Sequence, residues 1–393
     1  QAGTSCECAV ERKGPALTVL MDGKEGLAAT IHDRELGAVQ LRAGSASLEV
    51  AELSVTGGIF LPPTSTVLAR YGAPGSNKGA VQLVPTGDRG LTALFVAEDG
   101  NGANELWARR SRDGGVKWDD PYEVLDDEVL PQSIASLAAG CNERRDEITL
   151  VVATGRANHK LYLMKGRNGG RNWSRPADIT AAAKKPGWNV HLGAQGVVLK
   201  RLRNKEGRVV LPLLVGSDEQ WQPYVLITDD GREWKTVGPL ASAVRNSCDL
   251  MADAEGTLWS SVGVDGVTRQ LIFSRDGGDT WSEPAESTLP DGRTRGSLAF
   301  GMGPGNRPVW YYAATKPVVD ENGGHTRTHL TLYGSQDSGK TWQELKRVHF
   351  GTWKYPTVVS LGPDRCGVCF HRSSYSWSGD QIRYVEAADL WSR

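Results

Sequence analysis

The sequence predicts an all-β chain assembled from repeated units, and three observations carry that prediction. In 393 residues there are 47 Gly and 13 Trp against only 6 Phe, so turns are frequent and one large aromatic recurs. A short segment ending in that Trp returns several times along the chain, which is the signature of a repeat architecture. Helical periodicity is nearly absent, and Ile179-Thr-Ala-Ala-Ala-Lys184 reads as no more than a short turn.

The repeat is explicit. Ser111-Arg-Asp113-Gly-Gly115-Val-Lys-Trp118 recurs as Ser274-Arg-Asp276-Gly-Gly278-Asp-Thr-Trp281 and as Ser335-Gln-Asp337-Ser-Gly339-Lys-Thr-Trp342. Two degenerate copies lie between them, Gly166-Arg-Asn168-Gly-Gly170-Arg-Asn-Trp173 and the one-residue-shorter Thr228-Asp-Asp230-Gly-Arg-Glu-Trp234. The five Trp residues are spaced by 55, 61, 47 and 61 residues. Each copy follows a strand-like run such as Leu271-Ile-Phe273 or Leu330-Thr-Leu332. Asp bonds neighbouring backbone and Gly supplies positive φ, so each copy is expected to reverse a hairpin, with the Trp ring packed over the turn.

This pattern, S-x-D-x-G-x-x-W, resembles the Asp-box of sialidase-type β-propellers, and the resemblance runs from about residue 75 to the end of the chain. It implies a six-bladed β-propeller of four-stranded antiparallel blades, forming one domain over residues 1–393. The final blade is expected to close with the N-terminal segment. Residues 1–60, including Leu36-Gly-Ala-Val-Gln-Leu-Arg42, are expected to complete that blade or to add a strand outside it. The boxes themselves are expected on the rim away from the site, without chemistry.

A sialidase cleaves a ketoside whose anomeric carbon bears a carboxylate. That chemistry calls for guanidinium forks to hold the carboxylate, an acid/base carboxyl at the leaving oxygen, and a tyrosine nucleophile with a carboxylate base. The resemblance offers a residue for each role. Arg269, in Val267-Thr-Arg269-Gln-Leu-Ile-Phe-Ser, is similar to the family's second arginine, and Arg327, in Thr326-Arg327-Thr-His-Leu, to its third. Tyr355, in Trp353-Lys-Tyr355-Pro-Thr-Val, matches the nucleophile segment. Asp253, three residues before Gly256, falls where the base belongs, and Asp99, ahead of the first box, lies close to the acid/base position. His191, in Trp188-Asn-Val-His191-Leu192, belongs to a segment that approaches the site and is read as a substrate contact or a structural histidine.

Two departures from the family stand out. Its first arginine sits in a Phe-Arg-Ile-Pro-like motif, where this chain has Ser76-Asn77-Lys78-Gly79, with Lys78 the nearest cation. The Glu that buttresses that arginine is replaced within Cys369-Phe-His371-Arg372. Either a charge exchange lets Arg372 reach the carboxylate, or the protein no longer cleaves. Asp253 in place of Glu is also one methylene shorter. Trp310-Tyr311-Tyr312 and Trp377 read equally as a sugar platform and as packing.

The expected function is therefore a retaining exo-glycosidase acting on sialic acid or a related 2-keto-3-deoxy acid. The alternatives are an inactive propeller that binds a glycan or protein, and a hydrolase of neutral glycans. No cofactor or metal is expected. Cys366-x-x-Cys369 lies in a strand-like context where residues three apart face opposite ways, which argues against zinc. Lys plus Arg number 45 and Asp plus Glu 46, and basic residues are scattered without aromatic interleaving, which argues against nucleic acid as partner. No apolar run reaches the length of a membrane span. A start at Gln1 and the Asn172-Trp-Ser174 sequon lean towards a processed, secreted or cell-surface protein. Glu143-Arg144-Arg145-Asp146-Glu147 reads as a solvated hairpin tip.

Overall fold

The computed structural model describes residues 8–13, 16–21, 24–30, 65–70, 81–87, 89–98, 104–125, 129–130, 132–155, 159–193, 195–202, 204–216, 221–242, 249–263, 268–290, 295–315, 329–349, 353–372 and 381–391. The chain forms two compact units, Gln1–Leu61 with Val319–Thr326, and Pro62–Val318 with Arg327–Arg393. In the first, β1 (Cys8–Lys13), β2 (Ala16–Met21) and β3 (Lys24–Thr30) make an antiparallel meander of their own.

The second unit is the predicted six-bladed propeller. After β4 (Ser65–Arg70), blade one is β5 (Val81–Thr86), β6 (Gly90–Glu98), β7 (Asn104–Ser111) and β8 (Tyr122–Leu125). Blade two is β9 (Ile134–Asn142), β10 (Glu147–Thr154), β11 (Lys160–Arg167) and the short β12 (Asn172–Trp173) and β13 (Ala177–Asp178). Blade three is β14 (Val190–Leu192), β15 (Val197–Val198), β16 (Val209–Gly216), β17 (Trp221–Thr228) and β18 (Lys235–Val237). Blade four is β19 (Met251–Ala252), β20 (Leu258–Gly263), β21 (Thr268–Ser274) and β22 (Ala285–Pro290). Blade five is β23 (Ser297–Met302), β24 (Pro308–Thr315), β25 (Leu330–Ser335) and β26 (Gln343–His349). Blade six is β27 (Trp353–Gly362), β28 (Arg365–Arg372) and β29 (Gln381–Ala388), completed by β4 through the pairs Tyr384↔Thr66 and Arg383↔Val67. Closure by an N-terminal segment is thus achieved by residues 65–70, while the described strands of residues 1–60 form the separate sheet.

The core lies between blades, and strand alternation divides it. In β10, Ile148, Leu150 and Val152 pack with Val84, Leu94 and Val96 of blade one. Val151 and Ala153 of the same strand pack with Val209, Leu211 and Leu213 of blade three. A strand buried on both faces is read as a continuous apolar run, as in Val209-Val-Leu-Pro-Leu-Leu-Val215. Trp310, Tyr311 and Tyr312 occupy the same kind of strand and are 2%, 0% and 0% exposed, so they are core rather than a sugar platform. Cys366 and Cys369 are both buried and free, on opposite faces of β28.

The three intact boxes share one bonding scheme. The Ser hydroxyl donates to the box Asp at 2.8 Å in each, and accepts the N–H of Gly115, Gly278 or Gly339 at 2.8–2.9 Å. The Asp accepts the N–H of Lys117, Thr280 or Thr341 at 2.9 Å, and the Trp indole donates to the Gly carbonyl at 2.9–3.1 Å. The shortened copy keeps the Thr228–Gly231 bond of 2.8 Å but leaves Trp234 Nε1 buried without a hydrogen bond among the described residues. Boxes also latch neighbouring blades. Tyr384 of blade six donates to Gly114 O at 2.9 Å and meets the Trp118 ring edge-on at 5.1 Å. Gly115, at φ +95°, leaves the space the Tyr384 ring fills.

Blades three and four are joined by charge. Asp279, in the blade-four box, accepts from Lys205, Lys235 and Arg208, and Arg208 also grips Asp229 with bonds of 2.6 and 2.7 Å. Burial raises the Asp279 carboxyl, but the three cations outweigh it and hold it well below the usual range. A carboxyl depressed on folding stabilises at neutral pH and loses that contribution as pH falls below the ordinary value of about 4. Asp279→Ala is expected to cost about 1–3 kcal/mol in urea unfolding at pH 7, with a smaller difference from wild type at pH 3.

Candidate functional site

In a four-stranded antiparallel blade, the starts of the first and third strands share one end with the finish of the second. All six blades are oriented alike, so the ring has two chemically distinct ends. At one, here the back, lies a cavity of about 660 Å³ lined from every innermost hairpin, by Gly87, Glu143, Lys200, Asp253, Met302 and Leu361 among others. Tyr355, near the start of β27, lies about 20 Å along the strand from Leu361, at the opposite end, the mouth.

The backbone at Tyr355 is unusual. It adopts φ +51° within a register shift between Lys354 and Thr357, just before Pro356. A bulky side chain with left-handed backbone ahead of proline is strained by about 1–3 kcal/mol, a cost typical of functional positions. The half-buried ring packs on the cluster containing Val81, Phe95 and Leu68, between blades six and one.

The mouth of blade four holds a buried charge pair. Arg269, 1% exposed, donates from Nε to Ser261 Oγ at 2.8 Å and from Nη2 to Ser261 O at 3.0 Å. The Ser261 hydroxyl donates to Asp249 Oδ2 at 2.9 Å, and the Ser261 N–H to Oδ1 at 2.8 Å. Asp249 is 1% exposed; burial raises its carboxyl, while Arg269 and the Ser261 bonds pull against that rise. The Arg269 guanidinium also lies 5.8 Å from the centroid of the buried Tyr312 ring.

Blade five contributes Arg295, two residues before β23. Its guanidinium carbon stands 5.0 Å from the Tyr355 ring centroid, and it reaches Gly193 of blade three. Blade three adds His191, whose ring lies 6.2 Å from that of Trp221 and whose Nε2 is buried without a hydrogen bond among the described residues. Burial first, then Arg295 and His159, lower His191 well below its ordinary value, so its imidazole is neutral near pH 6–7.

The residues expected from sequence divide accordingly. Tyr355, Arg269 and His191 all lie at the mouth. Asp253 does not join them: it sits in the β19–β20 turn and lines the back cavity. Its carboxylate accepts the N–H of Glu255 at 3.1 Å, the N–H of Thr257 at 2.9 Å and the Trp259 indole at 2.9 Å. It is a turn-forming aspartate, and the carboxylate beside Arg269 is Asp249. Arg372 lies at the mouth end of β28 but faces blade five with Phe370; it donates to Gln381 Oε1 at 3.4 Å, an oxygen shared with Arg383 at 2.8 Å. The nearby His349 is pushed down to about 4 by burial, then by Arg372, Arg383 and His329. Asp99, Arg327, Lys78 and Trp377 lie outside the described residues. Asp249 and Arg295 were not singled out from sequence; the position of Asp249 just before β19 was the available signal for the first. Among the described residues no cluster of three His, Cys, Asp or Glu could hold a metal, and no helix is long and apolar enough to cross a membrane.

The buried pair makes a stability prediction. Asp249→Ala is expected to cost about 3–5 kcal/mol because it removes a buried carboxylate that balances the Arg269 charge through Ser261, whereas Ser261→Ala, which removes one bridging hydroxyl, is expected to cost about 1–2 kcal/mol. Chemical denaturation of both variants checks the order.

Comparison with known proteins agrees with the propeller fold. The BNR repeat-like domain model matches residues 89–365. A sialidase of Micromonospora viridifaciens is 22% identical over 390 residues, covering 91% of this chain and 58% of its own length. A Bacteroides fragilis sialidase is 24% identical over 228 residues, covering 55% of this chain and 40% of its own. The chain thus spans roughly half the length of these relatives. Among solved structures, the Hadza microbial sialidase Hz136 superposes with a TM-score of 0.67 at 16% identity, over 95% of this chain and 73% of that one. Trypanosoma rangeli sialidase in complex with the inhibitor DANA gives 0.62 at 15% identity, over 83% of this chain and 60% of its own. At such identities these superpositions speak to the fold.

Proposed function

Because the chain belongs to the BNR repeat-like family, within the sialidase superfamily, we propose that it is a retaining exo-glycosidase that hydrolyses terminal α-ketosides of sialic acid or a related 2-keto-3-deoxy acid. The observation that carries this reading is Tyr355, strained at φ +51° at the mouth of the ring, on the same end as the buried Asp249–Ser261–Arg269 chain.

In this mechanism the Tyr355 hydroxyl attacks the anomeric carbon. A neutral phenol approaches a carboxylate-bearing centre without like-charge repulsion, and a carboxylate must take its proton. Asp249 is assigned that role in place of Asp253. Asp99 protonates the leaving oxygen and later activates the water that releases the sugar from Tyr355. Arg269 and Arg327 grip the substrate carboxylate. His191, neutral, offers the sugar a hydrogen bond without adding charge.

Fluorogenic release from the α-ketosides of N-acetylneuraminic acid, the deaminated sugar and a shorter ulosonic acid tests the reading. Release by wild type that disappears in Tyr355→Phe is the expected result; no release by folded wild type from any of the three overturns it. Asp249→Asn is expected to lower kcat by about 10²–10⁴-fold, and Asp253→Asn to leave it within about threefold. The base works only when ionised, and burial raises the Asp249 carboxyl. Activity should therefore fall, as pH drops, at a value above the ~4 of a free aspartate; an acid limb at or below pH 4 contradicts the assignment.

A further inference from the structure

We propose that Arg295, a residue distinct from the arginines matched from sequence, is a substrate-binding cation that recognises the carboxylate on the reacting carbon. The proposal rests on the Tyr355 assignment. Three observations converge on it.

First, the Arg295 guanidinium carbon lies 5.0 Å from the Tyr355 ring centroid. A group that binds beside the attacking tyrosine binds beside whatever the anomeric carbon carries. A planar guanidinium there presents parallel N–H donors to a carboxylate and gives a neutral sugar no comparable contact.

Second, its base is fixed. The adjacent Gly296 packs so tightly on the hydroxyl end of Tyr312 that a Cβ there would meet that ring, and the Tyr312 ring also faces Arg269 at 5.8 Å. One buried tyrosine thus positions the backbone of Arg295 and the guanidinium of Arg269, which places both cations around the same mouth.

Third, the ring makes room for its tip. Arg295 extends to Gly193 of blade three, where a Cβ would lie 2.9 Å from Cζ, closer than real Cβ contacts come. No left-handed backbone requires glycine at 193, so the close approach of the guanidinium is what favours it. The neighbouring His191 is neutral, its protonation disfavoured by burial and then by Arg295, so it does not compete for an anion. The stretch Ser76-Asn77-Lys78 lacks the family's first arginine, and Arg372 is turned to Gln381 on the blade-five face. Arg295 is the guanidinium that the described contacts set against Tyr355.

The test measures kcat and KM of wild type, Arg295→Ala, Arg295→Lys and Gly193→Ala on the 4-methylumbelliferyl α-ketoside of N-acetylneuraminic acid and on its methyl ester. Loss of charge-assisted hydrogen bonds should raise KM for the acid about 10–100-fold in Arg295→Ala. Gly193→Ala, which displaces only a flexible side-chain tip, should do the same without touching the arginine, and covers the case in which Arg295→Ala fails to fold. Arg295→Lys should recover part of the loss, and the methyl ester should change by less than about threefold throughout. An unchanged KM for the acid, or equal losses on acid and ester, overturns the proposal. If folded wild type releases nothing, the hydrolase reading fails separately; calorimetric binding of 2-deoxy-2,3-didehydro-N-acetylneuraminic acid then decides. Binding weakened about tenfold or more by Arg295→Ala sustains the role, and binding that is absent or indifferent to the substitution overturns it.

Discussion

Antiparallel pairing within each blade is the constraint on which the rest of this propeller depends. It forces alternate strand junctions to opposite ends of every sheet, and six blades arranged alike turn that into two faces with separate tasks. Box turns and innermost hairpins gather at the back, where residues are spent on holding neighbours together. Strand starts and the remaining connections gather at the mouth, where Tyr355, Arg269, Asp249, Arg295 and His191 arrive from four different blades. Tyr355, Arg269 and His191 are delivered by strands, and Asp249 and Arg295 by the segments that lead into β19 and β23.

Burying Arg269 and Asp249 at 1% exposure is expensive unless their bonds are satisfied, and Ser261 serves both through its hydroxyl and its backbone. Such a pair adds little net stability compared with apolar packing. It does fix two charged groups in place before any ligand arrives, which is what electrostatic preorganisation requires. Tyr355 shows the same economy in backbone form, since its left-handed φ is tolerated only because β27 and β28 hold the register on either side.

Much of the fold was legible because the box is a local object: Ser, Asp, Gly and Trp make their bonds within eight residues, so the pattern survives in sequence. That Tyr355 and Arg269 share the mouth end was legible for a similar reason, since they lie at fixed offsets from those boxes. The base was not. Counting back from Gly256 selects Asp253, but Gly256 belongs to the hairpin at the back, and a residue three positions away shares its end. The mouth lies on the other side of β19, where Asp249 stands. Trp310 to Tyr312 look like a platform in sequence only because an aromatic run does not reveal that β24 is covered on both faces. Arg295 could not be read at all, since its reach to Gly193 and Tyr355 is a property of the closed ring.

That closure has a consequence for how the protein is made. Blade six is finished by β4, which leaves the ribosome before any blade is complete, yet its partner β29 follows some 310 residues later. At about 5–20 residues per second the first strand waits roughly 15–60 s with its hydrogen-bonding edge unsatisfied. An unpaired edge is a template for pairing with the wrong chain. During that interval the nascent chain is most open to joining a neighbour's blade, and a growing polysome places such neighbours close at hand.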